Sequence, residues 1–159
     1  MPEDRDWKTD LREAVSSFGH RNWIVVADSA FPLLTGGGMR QVLVRRDQLT
    51  VLEAALRMIE GAPHIKAQVW VDSELSHVPD ELAPGIESFR QHLAPLAPAA
   101  RRAPHEELIA RLNAAATEFQ VLLLKTESVL PYTTVCCELD CGYWDAEREQ
   151  QLRAAMKES

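Results

Sequence analysis

Two side chains suited to proton transfer, His20 and Asp28, flank a short apolar run near the start of the chain. An imidazole gives and takes protons near neutral pH, and a carboxylate can orient it or bind a polar ligand. An extended strand from Trp23 to Asp28 spans about 16 Å at ~3.3 Å per residue, so the two side chains cannot meet across it. One site can use both only if the loop carrying His20 folds back, or if the site lies between subunits.

Three cysteines near the C-terminal end are the first candidates for a metal site. Neighbouring residues of a strand point to opposite faces, so Cys136 and Cys137 cannot readily share one ion. The chain has no Cys-x-x-Cys pair, and no histidine cluster accompanies Cys141, which disfavours zinc. We predict reduced thiols packed on a strand, and no metal site.

Two polar or glycine-rich segments could bind an ion. Asp72 and Glu74 lie near His77 and could hold a cation, although loop tips often have this composition. Gly36 to Gly38 could form a phosphate loop, but no Lys-Ser or Lys-Thr follows and Gly-x-Gly-x-x-Gly is absent. We interpret the glycine segment as a flexible loop.

Apolar runs alternating with amphipathic segments predict the scaffold that positions these residues. We expect buried strands at 23–28, 67–71, 119–124 and 133–139, a short strand at 41–44, and a Pro/Ala-rich loop at 94–103. Helices are expected at 10–18, 48–60, around 86–93, from Pro104 onward, and at 145–157. This order predicts a three-layer α/β/α open sheet, mostly parallel, in a single domain over residues 1–159 with a core at about 10–143.

Ligands of such sheets collect beyond the carboxyl ends of the strands. That rule selects Asp28, Asp72 and the pair Lys125-Thr126 as the residues nearest a binding mouth. The segment around Asp28 carries the most chemistry among them.

Composition narrows the partners. The chain is 46% hydrophobic and 26% charged, its net charge is −7, and it lacks the ~18–20-residue apolar run of a membrane helix. Dense positive charge occurs only at Arg45-Arg46 and Arg101-Arg102, which argues against nucleic acid and favours a neutral small molecule. The N-terminal MPEDRDWKTD is polar and unlike a secretory signal, so we predict a cytoplasmic protein with no membrane contact.

The segment FGHRNWIVVADSAFP resembles the signature of the RbsD/FucU family, which contains D-ribose pyranase and L-fucose mutarotase. It keeps Gly19-His20, then Asp28 and Pro32 at the family's spacing. A second segment, PHEELIARLNAAATEFQVLLLKTESVLPYTTV, resembles the family's second conserved stretch. The likeness spans about residues 10–143, and the two motifs occur in order at the right separation.

The resemblance implies residue roles and an assembly. Proton transfer falls to His20, and Asp28 contacts the sugar and helps to fix that histidine. The site lies between subunits of a ring, pentameric or doubled into a homodecamer, and no cofactor is implied. The substrate-binding residues implied are Asp28, His105, Lys125, Tyr132 and Thr134.

The predicted function is that of a mutarotase or pyranase, which opens and recloses the ring of a free monosaccharide. Three departures from the family pattern surround the sugar rather than the histidine: Thr134 replaces Asn, Lys125 replaces Arg, and Glu127-Ser128 replaces Gly-Glu. They leave the sugar open, ribose-like or fucose-like. They also motivate the alternative, a monosaccharide-binding ring protein without turnover.

Overall fold

The computed structural model of the chain describes residues 6–158, in which helices alternate with strands. The helices are α1 (Trp7–Ser17), α2 (Gln48–Glu60), α3 (Ile86–Leu96), α4 (His105–Glu118) and α5 (Ala146–Lys157). The strands are β1 (Trp23–Ala27), β2 (Met39–Leu43), β3 (Ile65–Asp72), β4 (Arg101–Ala103), β5 (Val121–Lys125) and β6 (Val135–Cys141). A short 3-10 helix (Ser73–His77) follows β3 directly.

Within residues 6–158 the strands form one six-stranded sheet in the order β2-β5-β1-β6-β3-β4. β1 and β2 both run parallel to β5, and β3 runs parallel to β4. β6 runs antiparallel to both of its neighbours, β1 and β3. The other strands therefore share one direction, which confirms the predicted mostly parallel α/β sheet.

Helices cover both faces of this sheet because successive strand residues point to opposite sides. Ile24 and Val26 of β1 pack with buried residues of α1, α2 and α3 in the larger core. Val25 and Ala27 face the other way and pack with buried residues of α4. The predicted three-layer arrangement is confirmed.

Gly36 and Gly38 let the loop between β1 and β2 approach the C-terminal end of α4. A Cβ atom on Gly38 would collide with the carbonyl oxygen of Phe119, and one on Gly36 would lie 2.7 Å from the Cβ of Ala116. The Gly38 N–H donates to the Ala116 carbonyl at 2.7 Å. The glycine segment therefore has a packing role beyond the flexible loop that we expected.

The segment 94–103 differs from the loop that we expected. Its first part continues α3 to Leu96, and its last three residues form β4, which pairs with the end of β3 from Trp70 to Asp72. β4 is short and mostly exposed, with the burial pattern of an edge strand. It has no apolar run, so periodicity could not indicate it.

The C-terminal helix α5 lies on the surface and contains no buried residue. Asp145 caps it, as the side chain accepts a hydrogen bond from the backbone N–H of Arg148 at 2.8 Å. No helix among residues 6–158 combines the length and apolarity needed to cross a bilayer. The assignment of residues 1–159 to one domain stays a prediction, and its ends, 1–5 and 159, lie outside the described residues.

Candidate functional site

Polar residues from four elements meet at the edge where the parallel strands end. Asp28 directly follows β1, Asp72 ends β3, and His105 begins α4 two residues after β4. Because β6 is antiparallel, its start lies at the same edge and brings Thr134 next to β1. The Thr134 hydroxyl donates to Oδ1 of Asp28 at 3.0 Å.

A buried polar network holds this edge in place. Gln48 of α2 donates from Nε2 to the carbonyl of Val26 at 2.8 Å and to that of Thr133 at 2.7 Å. The hydroxyl of Thr126 lies 2.7 Å from Oε1 of Gln48 and 2.9 Å from the carbonyl oxygen of Ala27, so its one hydrogen is shared between these two acceptors. Thr126, predicted to lie near the mouth, is thus a buried structural residue that ties β1 to β5.

His105 is fixed at two points by the two acidic residues that end β3 and enter the 3-10 helix. Its ring Nδ1 lies 2.9 Å from Oδ2 of Asp72. Its backbone N–H, at the first position of α4, donates to both carboxylate oxygens of Glu74 at 3.0 and 3.2 Å. Pro104 before it offers no side-chain cap, so Glu74 satisfies an N–H that the helix itself leaves unpaired.

Two aromatic rings pack edge-on against the His105 ring. The centroid of Tyr132 lies 5.5 Å away at an interplanar angle of 89°, and that of Phe31 lies 6.2 Å away at 83°. Tyr132 has φ of 58°, in the left-handed region that costs a residue with a side chain roughly 1–2 kcal/mol. Strain of this kind is concentrated at functional sites, where the surrounding structure maintains it.

These residues enclose a cavity of about 260 Å³ that opens to solvent. Drug-sized ligands occupy roughly 300–1,000 Å³, so this cavity suits a smaller molecule. Carboxylate, imidazole and phenol groups line it together with apolar surface, a combination that can hydrogen-bond hydroxyls and exchange protons with them. The lining residues are Asp28, Ala30, Phe31, Pro32, His105, Pro131 and Tyr132.

Burial dominates the electrostatics of Asp72, whose side chain is only 1% exposed. Desolvation raises the pKa of Asp72 to about 6, against the opposing effect of the neighbouring His105. Glu74 and Asp28 add negative charge nearby and raise it further. The Asp72 carboxyl therefore changes its protonation much closer to neutral pH than an ordinary aspartate does.

His20 lies at the opposite edge of the sheet. Its Nδ1 lies 2.9 Å from Oδ1 of Asp140 near the end of β6, and Nε2 accepts a hydrogen bond from Nε of Arg21 at 3.2 Å. Along β6, the extended chain from Thr134, just before the strand, to Asp140 spans about 20 Å at ~3.3 Å per residue. Within one subunit the structure brings Asp28, His105, Tyr132 and Thr134 together and leaves His20 apart.

Two predicted substrate-binding residues do not line the cavity. Lys125 ends β5, in register with Ala27 and Leu43, and is half-buried. Thr134 is 2% exposed, and its hydroxyl is engaged by Asp28. Their contact with a sugar stays a prediction.

Sequence reasoning missed the roles of Asp72 and Glu74. In the sequence these two residues indicated only an ordinary polar loop tip or, less well, a cation site beside His77, whereas both carboxylates hold His105. Among residues 6–158 no group of three or more potential metal ligands is present. The one signal in the sequence was the position of Asp72 at a strand end, which already placed it near the mouth.

The fold is similar to that of several solved RbsD and FucU proteins. Bacillus subtilis RbsD complexed with D-ribose superposes with a TM-score of 0.58 at 16% identity, over 88% of this chain and 98% of that chain. The fucose mutarotase of Streptococcus pneumoniae in complex with L-fucose gives 0.59 at 16%, over 82% and 91%. FucU from Bifidobacterium longum gives 0.52 at 15%, over 83% and 94%.

No curated protein sequence matches the chain. The model of the RbsD / FucU transport protein family, in contrast, matches residues 4–137. That range includes His20 and Asp28 at the two ends of β1 and also His105, Tyr132 and Thr134. It confirms the resemblance drawn from the two motifs: the chain belongs to the RbsD/FucU family.

Proposed function

We propose that the protein is an isomerase of the mutarotase or pyranase type, which interconverts the anomers or ring forms of a free monosaccharide. The observation that carries the proposal is the meeting of Asp28, His105 and Tyr132 around one small cavity. These residues come from distant parts of the chain, and each stands at a position that the family motifs had selected. Membership of the family and the fold shared with proteins solved with D-ribose and L-fucose support the same conclusion.

The chemistry consists of proton transfers. In ring opening, the bond between C1 and the ring oxygen breaks while a C1 carbonyl forms. One group takes the proton of the anomeric hydroxyl, and another gives a proton to the ring oxygen. Rotation of the aldehyde about the C1–C2 bond and reclosure give the other anomer, and attack by a different hydroxyl gives the other ring form. Because nothing is oxidised, reduced or transferred between molecules, we expect no cofactor.

His20 serves as one of these groups in an assembled ring. It cannot act on a sugar in its own subunit's cavity, because it lies at the other end of the strands. The imidazole of His20 is 59% exposed, so it is accessible to a neighbouring subunit. We therefore infer a site in which one subunit holds the sugar and a second subunit's His20 completes it, in a pentameric ring or a homodecamer in the cytoplasm.

Asp28 and its neighbours hold the sugar in this scheme. Asp28 accepts from sugar hydroxyls with the oxygen lone pairs that the Thr134 hydroxyl does not use. The Tyr132 ring and Phe31 supply apolar surface, and the phenol can bind a hydroxyl. Lys125 contributes from the adjoining end of β5.

Anomer exchange measured by saturation-transfer NMR with ribose, fucose and galactose tests this function. The wild-type protein is expected to accelerate exchange of at least one of them, and His20→Ala to lose that acceleration. A wild-type protein that accelerates none of these sugars, or an undiminished rate in His20→Ala, would contradict the proposal.

The alternative is a ring protein that binds a monosaccharide without turnover. Two observations favour it: the Thr134 hydroxyl is engaged by Asp28, and Lys125 lies outside the cavity. Thr134 and Lys125 are the residues that replace the family's Asn and Arg at the sugar. This alternative predicts thermal stabilisation by a sugar whose anomer exchange is not accelerated. Acceleration of exchange excludes it.

A further inference from the structure

The proposed reaction needs two proton-handling groups that act on different oxygens of the sugar. A group that accepts the anomeric proton gains one proton, and a group that protonates the ring oxygen loses one. Ring closure returns both protons, so the pair is regenerated without any other reactant. His20 from a neighbouring subunit supplies one group, and the cavity itself must supply the other.

His105 is the histidine that lines the cavity, and an imidazole can both accept and donate a proton. Its Nδ1 is occupied by Asp72, whereas no hydrogen bond from residues 6–158 engages Nε2. The ring is also held from both sides, by Tyr132 and Phe31 edge-on and by Glu74 through the backbone. An imidazole so constrained can present Nε2 in only one direction.

Asp72 determines which nitrogen of the His105 ring carries the proton. An ionised carboxylate can only accept hydrogen bonds, so its contact assigns the proton to Nδ1 and leaves a lone pair on Nε2. When Nε2 takes a proton, the same carboxylate stabilises the imidazolium that forms. The side chain of Asp72 is 1% exposed, so this attraction is weakly screened by water.

We propose that Asp72 is a positioning residue, which holds His105 with Nε2 open to the cavity so that His105 is the second acid–base group of the reaction. The assignment rests on the proposed function. It explains why the chain keeps a carboxylate in an environment that disfavours its charge. The second oxygen of that carboxylate, Oδ1, is buried and has no hydrogen-bond partner among the described residues.

Several titratable or charged side chains from neighbouring elements surround Asp72 and His105. Asp28 after β1 and Glu74 of the 3-10 helix are negative and favour a proton on the pair. On β6 the thiol of Cys136 stays neutral, because burial raises its pKa well above the ordinary value. Arg90 of α3 and Arg102 of β4 line a neighbouring cavity that Asp72 also borders, and Arg90 is engaged by the carbonyls of Leu75 and Val78.

Asp72→Asn tests the proposal because it keeps the shape of the side chain and removes the charge. On any aldose that the wild type turns over, kcat is expected to fall roughly 10- to 100-fold, with KM within about threefold. The acidic limb of the pH profile is expected to move to lower pH, since the carboxylate that stabilises the imidazolium is gone. A purely structural role would change the amount of folded protein and leave the pH profile in place.

Asp10→Asn is the matched control. Asp10 is also a buried carboxylate, 4% exposed, and pairs with Arg40 at 2.6 Å in a region away from the cavity. Its substitution is expected to lower stability and leave kcat and the pH profile unchanged. Equal losses of kcat in the two variants would overturn the proposal.

Nitrogen-15 NMR of the histidine rings separates this proposal from the proposed function. The wild type is expected to carry the neutral His105 proton on Nδ1, and Asp72→Asn to show a mixture of tautomers. If no aldose is turned over, the proposed function fails, and this measurement still decides whether Asp72 sets the tautomer. A proton on Nε2 in the wild type, or an unchanged kcat in Asp72→Asn, would overturn the proposal.

Discussion

Two histidine–carboxylate pairs with the same 2.9 Å contact lie at opposite edges of the sheet. In the pair at the carboxyl ends of the parallel strands, the side chains of His105 and Asp72 are 21% and 1% exposed. In the pair at the amino ends of these strands, the side chains of His20 and Asp140 are 59% and 52% exposed. Equal distances thus conceal different energetics, because water screens the second pair and not the first.

The pKa shifts of the two carboxyls differ in direction for this reason. Burial raises the pKa of Asp72 to about 6 in spite of its histidine. At Asp140, weak desolvation is outweighed by hydrogen bonds from the Cys141 N–H and His20, so the pKa of Asp140 falls below its ordinary value. The buried Asp72 carboxyl therefore titrates close to neutral pH, whereas the Asp140 carboxylate stays ionised beside an exposed His20 ring.

The largest effect on kcat is expected when the imidazole of His105 is removed from the cavity. His105→Ala is expected to lower kcat for anomer exchange by about 10²–10⁴-fold, the usual worth of a positioned acid–base group. Saturation-transfer NMR measures it, with His92→Ala, an exposed histidine of α3, as the control. A loss of less than threefold would remove His105 from the reaction.

The next effect is a difference in how stability depends on pH. Between about pH 4 and 6 the unfolded chain releases the Asp72 proton while the folded chain keeps it, so stability falls as pH rises through this range. The raised pKa corresponds to about 2–3 kcal/mol, present below pH 4 and lost above pH 6.

Urea unfolding of the wild type and Asp72→Asn at pH 4 to 8 checks this difference. The substituted protein lacks the slope, so its stability relative to the wild type is expected to rise with pH. A constant difference between the two proteins across the range would contradict the raised pKa.

A smaller effect on stability is expected to be equal at two residues with left-handed backbone, one beside each histidine. Arg21 beside His20 has φ of 75°, and Tyr132 beside His105 has φ of 58°. At both positions the Gly variant is expected to be more stable than the Ala variant by about 1 kcal/mol, the reverse of the usual order, because only glycine adopts this conformation freely. Thermal unfolding of the four variants measures it, and Ala variants as stable as Gly variants would argue against the left-handed backbone.

The smallest effect separates the two pairs most simply. In the dissociated subunit, Asp140→Asn is expected to change the free energy of unfolding by less than about 0.5 kcal/mol, since exposed ion pairs contribute little. The effect is expected to shrink further in high salt, which screens exposed charges. A large loss of stability in the dissociated subunit would contradict the exposed, weakly stabilising character of this pair.

The sequence predicted most of the scaffold, and the reasons for its failures are physical. Uninterrupted apolar runs gave β1 and β5 within about two residues, because strands buried on both faces have that pattern. β4 has three mostly exposed residues and carries no such signal. The antiparallel direction of β6 is set by its partners, and an apolar run contains no information about direction.

The candidate site was predictable in part. The strand-end rule and the motifs selected Asp28, His105 and Tyr132, which the structure brings together. The contact between Asp72 and His105 depends on the pairing of β3 with β4, an edge strand that could not be foreseen. The separation of His20 from Asp28 along β1 followed from strand length alone, and the structure removes one of the two alternatives, because the loop carrying His20 does not fold back toward Asp28.

Activity of mixed assemblies tests the shared site most directly. His20→Ala and His105→Ala subunits, each inactive alone, are expected to regain activity when they are co-expressed or refolded together. With random mixing, about a quarter of the sites pair an intact His20 with an intact cavity, so roughly a quarter of wild-type anomer exchange should return. No recovery in mixed rings shown to contain both variants would contradict a site completed by the neighbouring subunit.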